Sequence, residues 1–255
     1  IMAVGFPKNA LIRSPFTREE FEEDYLAMTV LSETPVDNKI LAEVNFPAKV
    51  MAIFFGAVPN GYAWYFVKDG YVNIGVGATA LLLKDVGAVN AYKQFVIDLK
   101  QKGFLPKDLE LAKERAFPLP FKRTAEKSVF GNVLLVGDSA GFVSPVTGEG
   151  IYYAVKGGQL AANAIAENLK NGAPLSSYHS NWKKDFGNGL DKYGFFLREM
   201  LYKSKRRMEL AVTLGMHDMQ MATLLKNLIF GVYGYQQIFW KALLRLPVTL
   251  IKTIF

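Results

Sequence analysis

The stretch 131–150 reads GNVLLVGDSAGFVSPVTGEG. Four apolar residues, Val133 to Val136, run into a turn that carries Gly137, Asp138, Ala140, Gly141, Pro145, Gly148, Glu149 and Gly150. An acid delivered to the C-terminal edge of a buried strand sits where open α/β sheets take their ligands. Its carboxylate would accept hydrogen bonds from the hydroxyls of a sugar-like chain. Glycine lets backbone turn where a side chain would block it, and lets a flat ring lie close. A helix starting near Gly150 would aim free N–H groups and a positive dipole end at negative charge. Read from these residues alone, the same string is also compatible with a structural strand-turn-helix whose glycines serve packing.

A second constellation lies at 59–67, PNGYAWYFV. In a strand, Tyr62, Trp64 and Phe66 share one face. A continuous aromatic face suits a long unsaturated apolar chain, and equally a sheet face packed on a helix. Other chemistries are excluded or unsupported. The chain has no cysteine, so thiolate nucleophiles, disulfides and Cys-based metal sites are ruled out. His179 and His217 are the two histidines and lack metal-ligand spacing, so no metal site is expected, and no catalytic acid or base stands out. The net charge of +7 in 255 residues comes without a nucleic-acid-binding motif, so no nucleic-acid partner is expected.

These residues need elements to hold them. Hydrophobic content of 51% supports a sizeable core and excludes disorder. TREEFEEDYLAMTV (17–30) opens with Thr17 and Glu20 in capping-box spacing and predicts a helix. KILAEVNF, MAIFFGAV, YAWYFV and YVNIGVGA, within 39–80, predict three or four antiparallel strands, with Asp69-Gly70 as a hairpin turn. The span 86–102 predicts an amphipathic helix burying Val89, Tyr92, Phe95, Val96 and Leu99, stopped by Gly103. A further strand is expected within 109–122, ending in FPLPFK. NVLLVGD suits a strand buried on both faces, as in a parallel sheet. The span 150–169 predicts a small-sided helix ended by Asn171-Gly172, and residues 174–255 read as mostly helical.

The full string GDSAGFVSPVTGEG resembles the C-terminal flavin motif of the geranylgeranyl reductase family, within the p-hydroxybenzoate hydroxylase fold. Tyr62, Trp64 and Phe66 are similar to that family's Tyr-x-Trp-x-Phe-Pro substrate motif, with Val67 where the proline is expected. The resemblance covers most of residues 10–200. It implies a mixed α+β and α/β fold. Residues 1–124 would form an antiparallel substrate-binding sheet with flanking helices. Residues 125–172 would be a strand-turn-helix completing an FAD-binding domain, and 173–255 a helical C-terminal region. It implies FAD as cofactor, with Asp138 at the ribityl or pyrophosphate region and Gly148 and Gly150 lining the isoalloxazine ring. NADPH or a ferredoxin-like protein would be the reductant. The activity implied is reduction of carbon–carbon double bonds in geranylgeranyl or related isoprenoid lipid chains. A quinone oxidoreductase-like flavoprotein and a non-catalytic lipid-binding module are the alternatives; the absence of cysteine argues against an internal iron–sulfur cluster in the first.

The Gly-x-Gly-x-x-Gly unit that opens such flavoproteins is not found here, and IGVGA at 74–78 is no substitute because no suitable helix follows. The missing nucleotide-binding segment is therefore expected elsewhere, and NVLLVGD is expected to leave an apolar edge without it. The start IMAVGFPKNALIRSPF does not read as a signal peptide. Near the C-terminus, Lys203, Lys205, Arg206 and Arg207 form a basic cluster. Lys241, Arg245 and Lys252 then face away from Trp240, Leu243, Leu244, Leu250, Ile251 and Ile254, with Pro247 expected to kink or interrupt the helix. The uncharged run Asn227–Trp240 is short of the roughly 20 residues a span needs. A cytoplasmic chain touching the inner face of a membrane is the expectation.

Overall fold

The computed structural model describes residues 1–5, 26–42, 44, 51–59, 61–68, 70–79, 87–121, 123–229 and 233–254. They fall into two compact units, residues 26–118 and residues 1–25 with 119–255.

The first unit is an antiparallel sheet backed by a helix. Its strands are β1 (Leu26–Pro35), β2 (Met51–Phe55), β3 (Gly61–Lys68), β4 (Tyr71–Thr79) and β5 (Arg115–Pro120), in spatial order β2-β3-β4-β1-β5. β3 and β4 form a hairpin closed at Lys68↔Tyr71, with Gly70 at φ 74° in its turn. Asp69 lies outside the described residues. β5 takes an edge, where the missing N–H groups of Pro118 and Pro120 cost least. Helix α2 (Ala88–Gln101) buries Tyr92, Phe95 and Leu99 among the core formed by Val30, Ala63, Tyr65, Val67, Val72, Ile74 and Val76. The Ser32 and Tyr92 hydroxyls meet at 2.6 Å within that core, so neither is left unpaired. Val89 is exposed, because the helix turns Ala91 inward instead.

Two sequence expectations are overturned here. Residues 26–30, expected to continue a helix from Thr17, are strand; residues 17–25 lie outside the described residues. The long pairing of β1 with β4, from Ala27↔Thr79 to Pro35↔Tyr71, outweighs a local capping signal. Residues 39–42, expected as strand, belong to the short helix α1 (Asn38–Ala42). The Asp37 carboxylate accepts the Lys39 N–H at 2.8 Å and starts that helix, and buried Leu41 anchors it. Residues 45 and 46 lie outside the described residues.

In the second unit, β6 (Val129–Phe130) pairs antiparallel with β7 (Val133–Leu134). The expected buried strand is therefore regular over only two residues, although Leu134, Leu135 and Val136 are all buried. Its other edge is not bare. Met2 donates to the Leu134 carbonyl at 2.7 Å and accepts from the Val136 N–H at 3.1 Å, a parallel bridge centred on Leu135. The chain's own first residues thus cover part of the edge that was expected to be open.

The remaining elements are helical: α3 (Ile151–Asn171), α4 (Ser177–Trp182), two successive wide-turn helical segments (Lys183–Gly187 and Gly189–Gly194), α5 (Phe195–Tyr202), α6 (Lys205–His217), α7 (Met219–Ile229) and α8 (Tyr235–Ile254). Gly172 ends α3 in the left-handed conformation, as expected. The small side chains of α3 have a reason: Phe142 lies against Gly157, where any Cβ would overlap its ring. Phe142 in turn packs on Trp182 and Phe186 at centroid distances of 4.8 and 4.9 Å. Helix α8 continues through Pro247 without interruption. Among the described residues no helix is long and apolar enough to cross a membrane.

Candidate functional site

The glycine turn is built from its backbone outward. Val136 is extended, Gly137 takes φ 61°, and Gly137–Ala140 form one tight helical turn that Gly141 closes at φ 66°. Gly141 is required twice over. Its φ is left-handed, and a Cβ there would stand 2.6 Å from the Arg123 carbonyl oxygen. The segment 123–125 passes directly beneath, with the Ala125 N–H donating to the Ala140 carbonyl at 2.9 Å. That segment is itself pinned. The Asp191 carboxylate accepts the Thr124 N–H at 3.0 Å, the Thr124 hydroxyl at 2.8 Å and the Lys183 ammonium at 2.6 Å.

Residues 144–150 form a closed loop. Ser144 N–H donates to the Glu149 carbonyl, and Gly148 N–H to the Ser144 carbonyl, at 2.8 and 2.9 Å. The Ser144 hydroxyl accepts from the Thr147 N–H (2.9 Å) and the Thr147 hydroxyl (2.6 Å). With both lone pairs used, its own proton goes to the Tyr235 oxygen, 2.5 Å away on α8. Tyr202 donates to the Val146 carbonyl at 2.7 Å. Gly194, on the second wide-turn segment, seats Pro145: a Cβ there would lie 2.9 Å from the proline ring. Burial pushes the Tyr235 phenol well above its usual pKa, so it stays a neutral hydroxyl.

Asp138 is the exception in this well-satisfied turn. It is half-buried, and its carboxylate has no hydrogen-bond or ion-pair partner among the described residues. Burial raises its pKa. One carboxylate oxygen lies 3.4 Å from the place where a Cβ on Gly150 would stand, so the glycine keeps that oxygen open. Glu149, by contrast, is engaged: its carboxylate accepts the Tyr152 N–H at 2.7 Å and caps the first turn of α3. The turn therefore brings Gly137, Asp138, Ala140, Gly141, Pro145, Gly148, Glu149 and Gly150 into one loop cluster. It offers an anionic hydrogen-bond acceptor and bare glycine backbone, which fits a hydroxylated, flat cofactor.

Tyr62, Trp64 and Phe66 form a continuous row on one face of β3. Their ring centroids are 5.9 and 6.3 Å apart, and Phe55 of β2 extends the row at 6.3 Å from Tyr62. The opposite face of β3 carries Ala63, Tyr65 and Val67 into the core. Trp64 lies flat over β4 because Gly75 has no side chain; a Cβ there would overlap the indole. Its N–H donates to the Asn73 side-chain oxygen at 2.7 Å. Within IGVGA, Gly75 thus makes a seat for an aromatic ring. Burial pushes the Tyr62 phenol up to about 12, leaving it neutral. A cleft of about 260 Å³ opens beside Phe55, lined also by Phe54, Phe95, Leu99 and Lys102.

Sequence reasoning missed Ser144, Tyr202 and Tyr235 as supports of the turn. Ser144 lies inside the motif and was readable as a loop hydroxyl. Tyr202 and Tyr235 come from 56 and 91 residues away, and no local pattern marks them.

No protein-family model matches the chain. Over 183 residues it is 32% identical to an uncharacterized protein of Methanosarcina barkeri, covering 71% of this chain and 43% of that protein. Over 159 residues it is 31% identical to digeranylgeranylglycerophospholipid reductase 2 of Methanothermobacter thermautotrophicus, covering 60% of this chain and 39% of that enzyme. The chain thus spans less than half the length of these curated relatives. A crystal structure of a geranylgeranyl bacteriochlorophyll reductase-like protein from Thermoplasma acidophilum superposes with TM-score 0.65 at 18% identity, over 76% of this chain and 48% of that one, and shows the shared fold. The body of this chain is homologous to the geranylgeranyl reductase family.

Proposed function

We propose that this chain forms the flavin-ring and lipid-chain portion of an FAD-dependent reductase that saturates carbon–carbon double bonds in geranylgeranyl or related isoprenoid chains. The observation that carries the reading is Asp138: a half-buried carboxylate without a hydrogen-bond or ion-pair partner among the described residues, in a turn where Ser139, Ser144, Thr147 and Glu149 all have one. The relatedness to a digeranylgeranylglycerophospholipid reductase supports the substrate class.

In this reading Asp138 accepts hydrogen bonds from the ribityl hydroxyls. Gly137, Ala140, Gly141, Pro145 and Gly148 shape the loop, and Gly150 keeps the approach to the carboxylate clear. Glu149 holds the start of α3, so the ring edge meets a fixed helix terminus. Bound FAD, recharged by NADPH or a ferredoxin-like donor, would supply the hydride for one carbon of the double bond, and a nearby acid or water the proton for the other. Tyr62, Trp64 and Phe66 hold the isoprenoid chain through apolar contact and exclude water from it. The adenosine half of FAD is held by polypeptide outside these 255 residues.

The test is flavin content and double-bond reduction in a polypeptide that joins this chain to a nucleotide-binding segment. Asp138→Ala should weaken FAD binding about ten- to hundredfold, the worth of hydrogen bonds to a charged acceptor. Trp64→Ala should leave flavin content intact and raise KM for the lipid. Unchanged flavin affinity in Asp138→Ala would remove the site from the cofactor.

A further inference from the structure

Helix α8 carries its polarity the unexpected way round. The sequence suggests that Lys241, Arg245 and Lys252 form its solvent face. Instead Arg245 turns inward and grips Asp218, a fully buried carboxylate at the α6–α7 junction, at 2.7 and 3.1 Å. The Thr249 hydroxyl donates to the same carboxylate at 2.7 Å, and the Lys252 ammonium stands 3.6 Å from it. Tyr235 and Ile238 continue this inner stripe, and Phe239 packs on Tyr193 and Phe196. The spacing 235, 238, 245, 249 is one helical face.

The opposite face is apolar and open. Trp240, Leu243, Leu244, Pro247, Leu250 and Ile251 fall in one arc of about 120° on a 3.6-residue wheel. All six are exposed, Leu244 at 79% and Ile251 at 59%. The charge of this C-terminal stretch is one-sided. Residues 203–255 hold eight Lys and Arg against two acids, one of which is the buried Asp218; six of the chain's seven excess positive charges lie here. Lys203, Lys205, Arg206 and Arg207 are all exposed.

We propose that this outer face of α8 is a docking surface for an anionic phospholipid bilayer, lying in the interface without crossing it. The apolar arc enters the acyl boundary, Trp240 sits at the headgroup level, and the basic cluster meets the lipid phosphates. The charge also disfavours one rival. A second copy packed face to face on the same patch would bring two surfaces of like charge together. The Asp218–Arg245–Thr249 knot holds the helix in this orientation, because rotating it would bury the arc and strand the charges. The inference uses no residue of the glycine turn and stands apart from the reductase reading.

The experiment uses the 255-residue chain with vesicles of phosphatidylglycerol and phosphatidylcholine in equal parts, and with phosphatidylcholine alone. Trp240 is the exposed one of the three tryptophans, Trp182 and Trp64 being buried, so its emission reports the contact. The mixed vesicles should sediment the chain and shift its emission to the blue. Leu244→Glu/Ile251→Glu, at solvent-facing positions, should cut partitioning at least about tenfold. Lys205→Gln/Arg206→Gln/Arg207→Gln should cut it about a hundredfold at low salt. Leu169→Glu on α3, equally exposed at 81%, should change nothing. The proposal is overturned if the wild-type chain ignores mixed vesicles, or if Leu244→Glu/Ile251→Glu binds as well as wild type. It is equally overturned if that double variant instead dissolves a concentration-dependent dimer that never binds lipid.

Discussion

The hydroxyls of Ser144 and Tyr235, 91 residues apart in sequence, meet at 2.5 Å and join the glycine loop to the first turn of α8. Both residues are buried. Tyr235→Phe would leave the Ser144 proton without an acceptor, a loss of about 1–3 kcal/mol. We expect a lower urea midpoint with an unchanged slope. In the complete flavoprotein, FAD affinity should fall together with stability, because the loop that faces the cofactor loses its outer tether. Ser144→Ala should cost more, since it also removes the acceptor of both Thr147 bonds. Equal stability of Tyr235→Phe and wild type would show that the tether carries no weight.

Gly75 and Trp64 form a lock whose parts are cross-strand partners. A methyl group at Gly75 overlaps the indole, so Gly75→Ala must expel Trp64 from its seat and break its bond to Asn73. Overpacking of this kind costs about 1–3 kcal/mol. Pairing it with Trp64→Phe should relieve the clash. The double variant is then more stable than the sum of the single ones, a coupling that thermal unfolding of all four proteins reads directly. Simple additivity would mean that the indole does not rest on Gly75.

Stability should fall in mild acid because of His179. Its Nδ1 lies 3.0 Å from the fully buried Ser128 hydroxyl, which also accepts the Trp182 N–H at 2.8 Å. Burial, and then the neighbouring Lys183 ammonium, push the His179 pKa down. The unfolded chain takes its proton near pH 6.5, whereas the folded chain resists it to lower pH. The stabilisation is therefore complete above about pH 6.5 and is lost as pH falls through the depressed folded value. Melting temperatures measured from pH 7.5 down to about 5 should decline for wild type and decline less for His179→Gln. Parallel curves would assign the decline to other groups.

Much of the fold was legible locally. The β3–β4 hairpin follows from alternation around an Asp-Gly turn, and α2 and α3 from periodicity with glycine stops at Gly103 and Gly172. The errors fell where a local signal met a stronger distant one. Thr17 and Glu20 suggested helix through residue 30, but residues 27–30 open a nine-residue pairing of β1 with β4. The sequence of α8 shows two faces, yet it does not say which is inside. That was settled by Asp218, an acid at the junction of two other helices, which can only be buried with cations around it.

By itself, the sequence determined the strand-turn-helix around Asp138, the shared face of Tyr62, Trp64 and Phe66, and the absence of a thiol within these 255 residues. These depend on residue type and on spacings of a few residues, which backbone geometry converts directly into position. The tertiary structure decided that Asp138 has no partner among the described residues, that Glu149 has one, that Gly75 is a seat for Trp64, and that α8 shows its apolar side to the outside. Each of these depends on which groups meet across long stretches of chain. Burial and hydrogen-bond satisfaction are settled by that meeting, not by the residues on either side.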